Sequence, residues 1–423
     1  MTFENKGAMA STCVVAAQDS LNIAAANYVC TAGINDDVTI QEALNNYGEV
    51  VLLEGNYTPQ ANLTIPDDTC LRGQGFDTVI TPTGGSITQA VIMGNRSILK
   101  SLKVILSGAA ANADIVYASS KTQIWVKDVW LVGEAGSDSG IYFDTVTHSK
   151  IIDCRMDDNG DNGISLSGDS DYNTIAGNTC EGHTGQGIDL TDSDHNTIVG
   201  NLCPSNNSGI RLSTSCNNSI VGNVCDGNAN SGTDCYTSCL GNTITGNTYQ
   251  GNGIGLYLST NCENNTLTGN TIQGNTQYSI RLFGSSNNNT ITGNTVADNG
   301  YHGIFIESSD ENGITGNQCD DNGAGGTYHG IYIYRSSYCS VTGNVCNNNL
   351  IDGINVFGDA LGDSHYNTIM LNVCYNNGDD GIEIAGGADA VKNIVLGNQL
   401  TGNGGTALVD GGNATSIGHN ITV

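Results

Sequence analysis

Proline is nearly missing, with 4 in 423 residues, and lysine and arginine together number 13 against 42 aspartates and glutamates. So few basic groups on a chain of net charge −29 speak against a nucleic-acid partner, because a polyanion is repelled over most of such a surface. Long apolar runs are lacking too: none approaches the ~18 residues that a membrane-crossing helix needs, so no membrane insertion is expected. The opening MTFENKGAMASTCVVAAQ lacks the basic start and continuous apolar stretch of a secretory signal peptide. An extracellular, cell-surface or virion location is expected nonetheless, reached after removal of a signal or by release on lysis. The 5 methionines and 7 histidines are dispersed and no C-x-x-C spacing occurs, so neither a metal centre nor a cofactor is expected. The carboxylates admit surface Ca2+, but scattered acidic groups more often solvate than ligate, and they name no site.

What is abundant is glycine, 57 residues of it, and one recurring element, N-x-I-x-G-N. Copies begin at Asn173, Asn196, Asn218, Asn242, Asn265 and Asn289, with weaker ones from Asn312, Cys339, Asn367 and Lys392. The second asparagines (Asn178, Asn201, Asn223, Asn247, Asn270, Asn294, Asn317, Asn344, Asn372 and Asn398) stand 22 to 28 residues apart, about the length of one coil of a three-strand solenoid. Each repeat also carries an alternating run such as GISL, GIRL, GIFI or GIYI, whose apolar residues, two apart, must point the same way. Inward is the only direction that buries them, and no repeat could do so alone. The fold predicted is all-β: a single-stranded right-handed parallel β-helix of roughly a dozen stacked coils. The asparagines read as inward amide ladders.

Registering the coils puts Cys180, Cys203, Cys225, Cys319, Cys346 and Cys374 in one column with Tyr249, Ile272, Val296 and Leu400. Cysteine that alternates with aliphatic residues behaves as a small buried hydrophobe. Cys216, Cys239 and Cys262 read as a second column, in a turn, either oxidised or stacked as thiols. Residues Asp36 to Tyr47 place Ile40, Ala43, Leu44 and Tyr47 at helical spacing, with acid at the start and Gly48 just after. Residues 1–48 are therefore expected to form an N-terminal strand and capping helix, and residues 49–423 one continuous β-helix.

The segment Asn27 to Ile80 resembles the entry module of the pectin-lyase-like superfamily: a helix, a V-x-L-x-x-G-x-Y strand (Val51, Leu53, Gly55, Tyr57) and an L-x-G-x-G turn (Leu71, Gly73, Gly75). The N-x-I-x-G-N coils look like the repeats of polysaccharide lyases and hydrolases, alginate-type epimerases, phage tail spikes and copper-loading accessory proteins. The resemblance implies the fold and leaves the activity open, since this scaffold hosts many. The G-H-G and R-I-K of polygalacturonase-type hydrolases, the arginine-proline signature of pectate lyases and the D-P-H-D signature of alginate epimerases are all missing. No family catalytic residue carries over.

Alternation turns one residue of each G-I-x-I strand outward, and a second follows two positions on. Adjacent coils then display Tyr257, Arg281, Phe283, Phe305, Tyr332, Tyr334 and Phe357 on one side, an uneven concentration of aromatics that marks a binding or assembly surface. Sugar rings stack on aromatic faces while arginine, histidine and carboxylates bond their hydroxyls or acid groups, so these seven residues are expected to bind a polysaccharide or cell-surface glycan. Catalysis is a separate matter, which the sequence does not decide. Glu307 and Asp310 are the carboxylate pair nearest the patch for hydrolysis, and Arg281 with His302 or His329 is the pairing a lyase would use. The rival reading is a non-catalytic structural or adhesive rod whose patch is a subunit contact, as in a homotrimer.

Overall fold

The computed structural model describes residues 11–30, 36–85, 87–106, 113–134 and 136–422. The chain divides into two compact units, Met1–Asn206 and Asn207–Val423. The architecture is an all-β right-handed parallel β-solenoid of about 15 turns. That exceeds the dozen counted from the motif because the coils before Asn173 stack without it. No described helix is long and apolar enough to cross a membrane.

In the first unit, Thr12–Ala16 pairs in parallel with Glu49–Leu52, Ile98–Ile105 with Trp125–Val132, and Ile141–Asp144 with Ile164–Ser167. The one α-helix among the described residues, Asp36–Asn46, buries Ile40, Ala43 and Leu44, as their spacing requires. Its Gln41 amide donates to the Thr64 carbonyl (2.8 Å) and accepts from the Thr64 N–H (2.9 Å), so a side chain supplies the strand Leu63–Ile65 with the bonds of a neighbouring strand. An exposed edge is thereby closed.

In the second unit each coil contributes three short strands, and every strand pairs in parallel with its counterpart one coil on. The motif isoleucines and their equivalents (Ile220, Ile244, Leu267, Ile291) are fully buried, as are Cys225, Tyr249, Ile272, Val296 and Cys319 in the adjoining column. The motif glycine turns the chain: Gly222, Gly246, Gly269 and Gly293 all have φ of 62–64°, the left-handed region where a side chain is strained. Directly after each comes the second asparagine, whose amide does two things at once. Asn270 Oδ1 accepts the N–H of Asn247 (2.9 Å) and its Nδ2 donates to the carbonyl of Ile244 (2.9 Å), while Asn294 Oδ1 accepts the N–H of Asn270 (2.9 Å). Buried backbone groups at the corners, which no strand can pair, are satisfied coil by coil.

None of the 15 cysteines is joined in a disulfide. The expected column of Cys216, Cys239 and Cys262 is displaced at its first member. Cys239 and Cys262 sit three residues before Asn242 and Asn265, where other coils have a buried serine; the equivalent in the preceding coil is Ser215, and Cys216 lies one residue further on, half-buried. The thiols act there as serine hydroxyls do, Cys239 Sγ donating to the Leu212 carbonyl (3.4 Å) and Cys262 Sγ to that of Cys235 (3.3 Å).

Candidate functional site

Strands Ile254–Ser259, Ile280–Phe283, Ile304–Glu307, Ile331–Tyr334, Ile354–Phe357 and Ile382–Val391 run side by side in the second unit. Their register sets Tyr257 opposite Arg281, Arg281 opposite Phe305, Phe305 opposite Tyr332, Tyr332 opposite Asn355 and Asn355 opposite Glu383. Two residues on, Phe283 faces Glu307, Glu307 faces Tyr334, Tyr334 faces Phe357, and Phe357 faces Ala385. Every outward residue expected from strand parity is therefore on one face.

Because neighbouring strands lie ~4.8 Å apart, rings at equivalent positions must stack. Phe305 and Tyr332 are 5.2 Å apart and 7° from parallel and Tyr334 and Phe357 5.8 Å and 24°, while Tyr332 and Tyr334, two residues apart on one strand, are 5.6 Å and 9°. Tyr278 closes the other side of Phe305 at 5.3 Å. The consequence departs from the sequence expectation: Phe305 points outward yet is only 5% exposed, its faces taken by other rings. The remaining rings of the patch are half-buried, and Ala385 offers no ring to continue the stack beyond Phe357.

Arg281 is enclosed rather than free. Its guanidinium lies 5.0–5.6 Å from the ring centres of Tyr257, Tyr278, Phe283 and Phe305, and it donates to Glu307 Oε2 at 2.7 Å. Further along, Arg335 makes a fork to Asp359 at 2.7 and 2.6 Å, and the Tyr334 hydroxyl donates to the same carboxylate at 2.8 Å. The Arg335 bonds hold Asp359 well below the usual carboxylate range.

Of the suggested acid–base groups, the structure brings some together and separates others. Glu307 is bonded to Arg281, whereas Asp310 lies exposed after the strand, where its Oδ1 accepts the Ser337 N–H (2.7 Å). His302 and His329 stack at 5.2 Å, 9° from parallel. Burial keeps His302 neutral by lowering its pKa well below the ordinary value, helped by His329 and Arg281. Its Nδ1 accepts the His329 N–H at 2.9 Å, which leaves the proton on Nε2 and no free lone pair for a base. His329 Nδ1 lies 3.0 Å from Asp352 Oδ2.

Of a third column, sequence reasoning singled out only His302 and His329. Tyr278, His302, His329, Asp352 and Asp380 each stand two residues before the first apolar residue of their strand, and backbone bonds tie successive members together: Gly303 N–H to the His329 carbonyl, Gly330 to Asp352 and Gly353 to Asp380, at 3.0–3.1 Å. The face thus passes along the coils from aromatic and basic to acidic. At its acidic end the Asn355 Nδ2 donates to both Asp352 Oδ2 (2.8 Å) and Glu383 Oε2 (2.6 Å). Asp352, Asp380 and Glu383 present carboxylate oxygens within 4.8 Å of one another.

The family described as right handed beta helix region matches residues 134–272 and 255–422. No curated protein matches the sequence. Among solved structures, the pre-mature gene product 12 of bacteriophage phi29 is similar at 12% identity and a TM-score of 0.55, over 90% of this chain and 70% of that one. The A-module of the Azotobacter vinelandii mannuronan C-5 epimerase AlgE6 is 18% identical with a TM-score of 0.44, over 92% and 95% of the two chains. Tailspike protein 3 of bacteriophage CBA120 is 12% identical with a TM-score of 0.45, over 93% and 59%. These likenesses concern the fold.

Proposed function

As the chain belongs to the right-handed β-helix family, we propose that it is an extracellular or virion-associated protein that binds a polysaccharide along the ringed face of its second unit. The observation that carries this reading is the contiguous series of rings from Tyr257 to Phe357, half-buried apart from buried Phe305, interleaved with Arg281, Glu307 and Arg335. A row of apolar edges flanked by fixed donors and acceptors suits a chain of pyranose rings, which present C–H faces and hydroxyl rims. Phe357 ends the stack, because the residue opposite it on the next strand is Ala385, and its outer face is the one we assign to a sugar. Arg281, Phe283, Phe305 and Glu307 act mainly by holding the surface flat, while Tyr257, Tyr332, Tyr334 and Phe357 make the contacts.

Titration of the intact protein against a panel of acidic and neutral polysaccharides tests this, with Phe357→Ala and Tyr332→Ala beside it. Binding by the parent chain that falls about tenfold or more in Phe357→Ala, at unchanged oligomeric state, is the expected result. Binding unaffected by both substitutions would overturn it.

The burial of Phe305 by its own neighbours supports a second reading, a non-catalytic rod whose ringed stripe packs against another subunit. Sedimentation separates the two: a homotrimer that Phe357→Ala dissociates favours the interface, and a monomer with the face open favours the glycan.

A further inference from the structure

In the first unit, we propose that a face carrying Arg72, Lys100, Trp125, Lys127 and Lys150 binds an acidic polysaccharide, a sugar chain with carboxylate or sulfate groups. Eight of the 13 lysines and arginines fall between Arg72 and Arg155, beside seven acidic residues, in a chain whose net charge is −29. The fold gathers these bases further. Leu99, Val126 and Ile151 are buried, so the residues on either side of each point outward. Arg72, Lys100 and Lys127 stand opposite one another in one outward column, and Trp125 faces Lys150 in the next. Ser101, Asp128 and Asp153 then turn the chain (φ 52–55°), and beyond that corner Lys103, Trp130 and Arg155 form a third column.

Like charges directly opposite on adjacent strands repel. Arg72 has Glu49 at 2.9 Å and Lys127 reaches Asp153 only at 3.9 Å, while Lys100 between them and Lys150 beside them form no ion pair among the described residues. A bound polyanion supplies the missing charge. Trp125 shows which kind fits. It is 43% exposed, with Lys150 Nζ 4.8 Å from its ring centre, so an open indole adjoins Lys127 on its own strand and Lys150 on the next. A sugar stacks its C–H face on such a ring while its acid group meets the ammonium beside it. Asp68, Asp153 and Glu181, in the same coils, are at least half exposed. A flat anionic bilayer would meet these carboxylates too, whereas one extended polymer can keep to the lysine column. A single-stranded nucleic acid draws on a series of rings for successive bases; here Lys103 covers Trp130 at 3.5 Å, which leaves Trp125 as the one open indole.

This inference does not rest on the ringed stripe of the second unit, and its readout is separate: both tryptophans of the chain, Trp125 and Trp130, lie here, and the stripe has none. The intact protein is titrated with hyaluronate, dextran sulfate and neutral dextran, followed by indole fluorescence and calorimetry. The expected result is a saturable change in indole emission with an acidic polymer and none with dextran, weakening as NaCl is raised. In Lys100→Gln/Lys150→Gln the affinity should fall about tenfold or more, with a melting midpoint unchanged or raised because like charges are relieved. Binding of neither acidic polymer would overturn the site, as would a folded double variant that binds as tightly as the parent. A thymidine oligonucleotide held as tightly as the better acidic polymer would overturn the assignment to a polysaccharide.

Discussion

Phe305 and Tyr332 face each other across adjacent strands, with ring centres 5.2 Å apart and planes 7° from parallel, and each ring shields the other on the solvent side of the sheet. An outward residue is usually indifferent to truncation, within ~0.5 kcal/mol. Here Phe305→Ala removes a ring held between Tyr278 and Tyr332 and should cost ~1–3 kcal/mol, between a surface and a core aromatic. Denaturant unfolding followed by far-ultraviolet dichroism measures it, and a loss below ~0.5 kcal/mol would mean that the rings do not stack in solution.

Asn270→Ala deprives the Asn247 N–H of its acceptor and the Ile244 carbonyl of its amide donor. Each stranded group costs ~1–3 kcal/mol, so a clear drop in the melting midpoint is expected. Asn270→Asp retains the acceptor but sets a carboxylate oxygen against the Ile244 carbonyl and Asn294 Oδ1, so at neutral pH it should lower the midpoint at least as far, and less in acid, where a proton restores the donor.

Of the 15 thiols, 13 are buried and only Cys70 and Cys216 are half-exposed. A maleimide applied to the native protein should modify those two and spare Cys180, Cys203 and Cys225, with mass spectrometry of the digest as the readout. Burial raises Cys70 above its ordinary value, so even its reaction should be slow at neutral pH. Early labelling of Cys225 would contradict the packing.

Asp114 provides a pH test confined to the first unit. Burial raises its pKa from 3.8 to about 7, against the bond from the Ser139 N–H. Between those values the folded chain holds a proton that the unfolded chain has released, so stability is full below pH 4 and falls as pH rises to about 7. The ceiling on this loss is about 4 kcal/mol. Asp114→Asn keeps an acceptor for Ser139 and should flatten the dependence, raising the midpoint at pH 8. Both tryptophans, Trp125 and Trp130, lie in this unit, so their fluorescence isolates its transition.

Much of this was legible in the sequence because a parallel solenoid repeats its rules. Two-residue alternation placed Tyr257, Arg281, Phe305 and Tyr332 in one outward column, and the strand register agrees residue by residue. Parity gives direction but not cover, which depends on how large the neighbours are; hence the unforeseen burial of Phe305. Of the column from Tyr278 to Asp380 only His302 and His329 were singled out, because it precedes the strands, where alternation does not apply. A third amide ladder was also missed: Asn252 Oδ1 accepts the N–H of Asn228, and Asn275 Oδ1 that of Asn252, both at 2.9 Å. The signal was present as an asparagine five residues after each second one, at Asn228, Asn252 and Asn275.

The amide ladders also bear on how such a chain can change over generations. Asn247 needs from the following coil only an acceptor at the place where Asn270 stands, and Asn294 offers the same acceptor one coil later. Excising residues 248–270 would therefore join Asn247 to Thr271 with each surviving amide still facing an equivalent partner, and duplicating the same stretch would lengthen the rod by one coil. Gain or loss of a whole coil thus keeps the ladders in register, and so does a longer turn, since Asn317, Asn344 and Asn372 stay in one ladder at spacings of 27 and 28 residues; only a residue gained or lost inside a strand reverses the direction of its side chains. Rod length can drift by recombination while the sequence of each coil stays narrowly constrained.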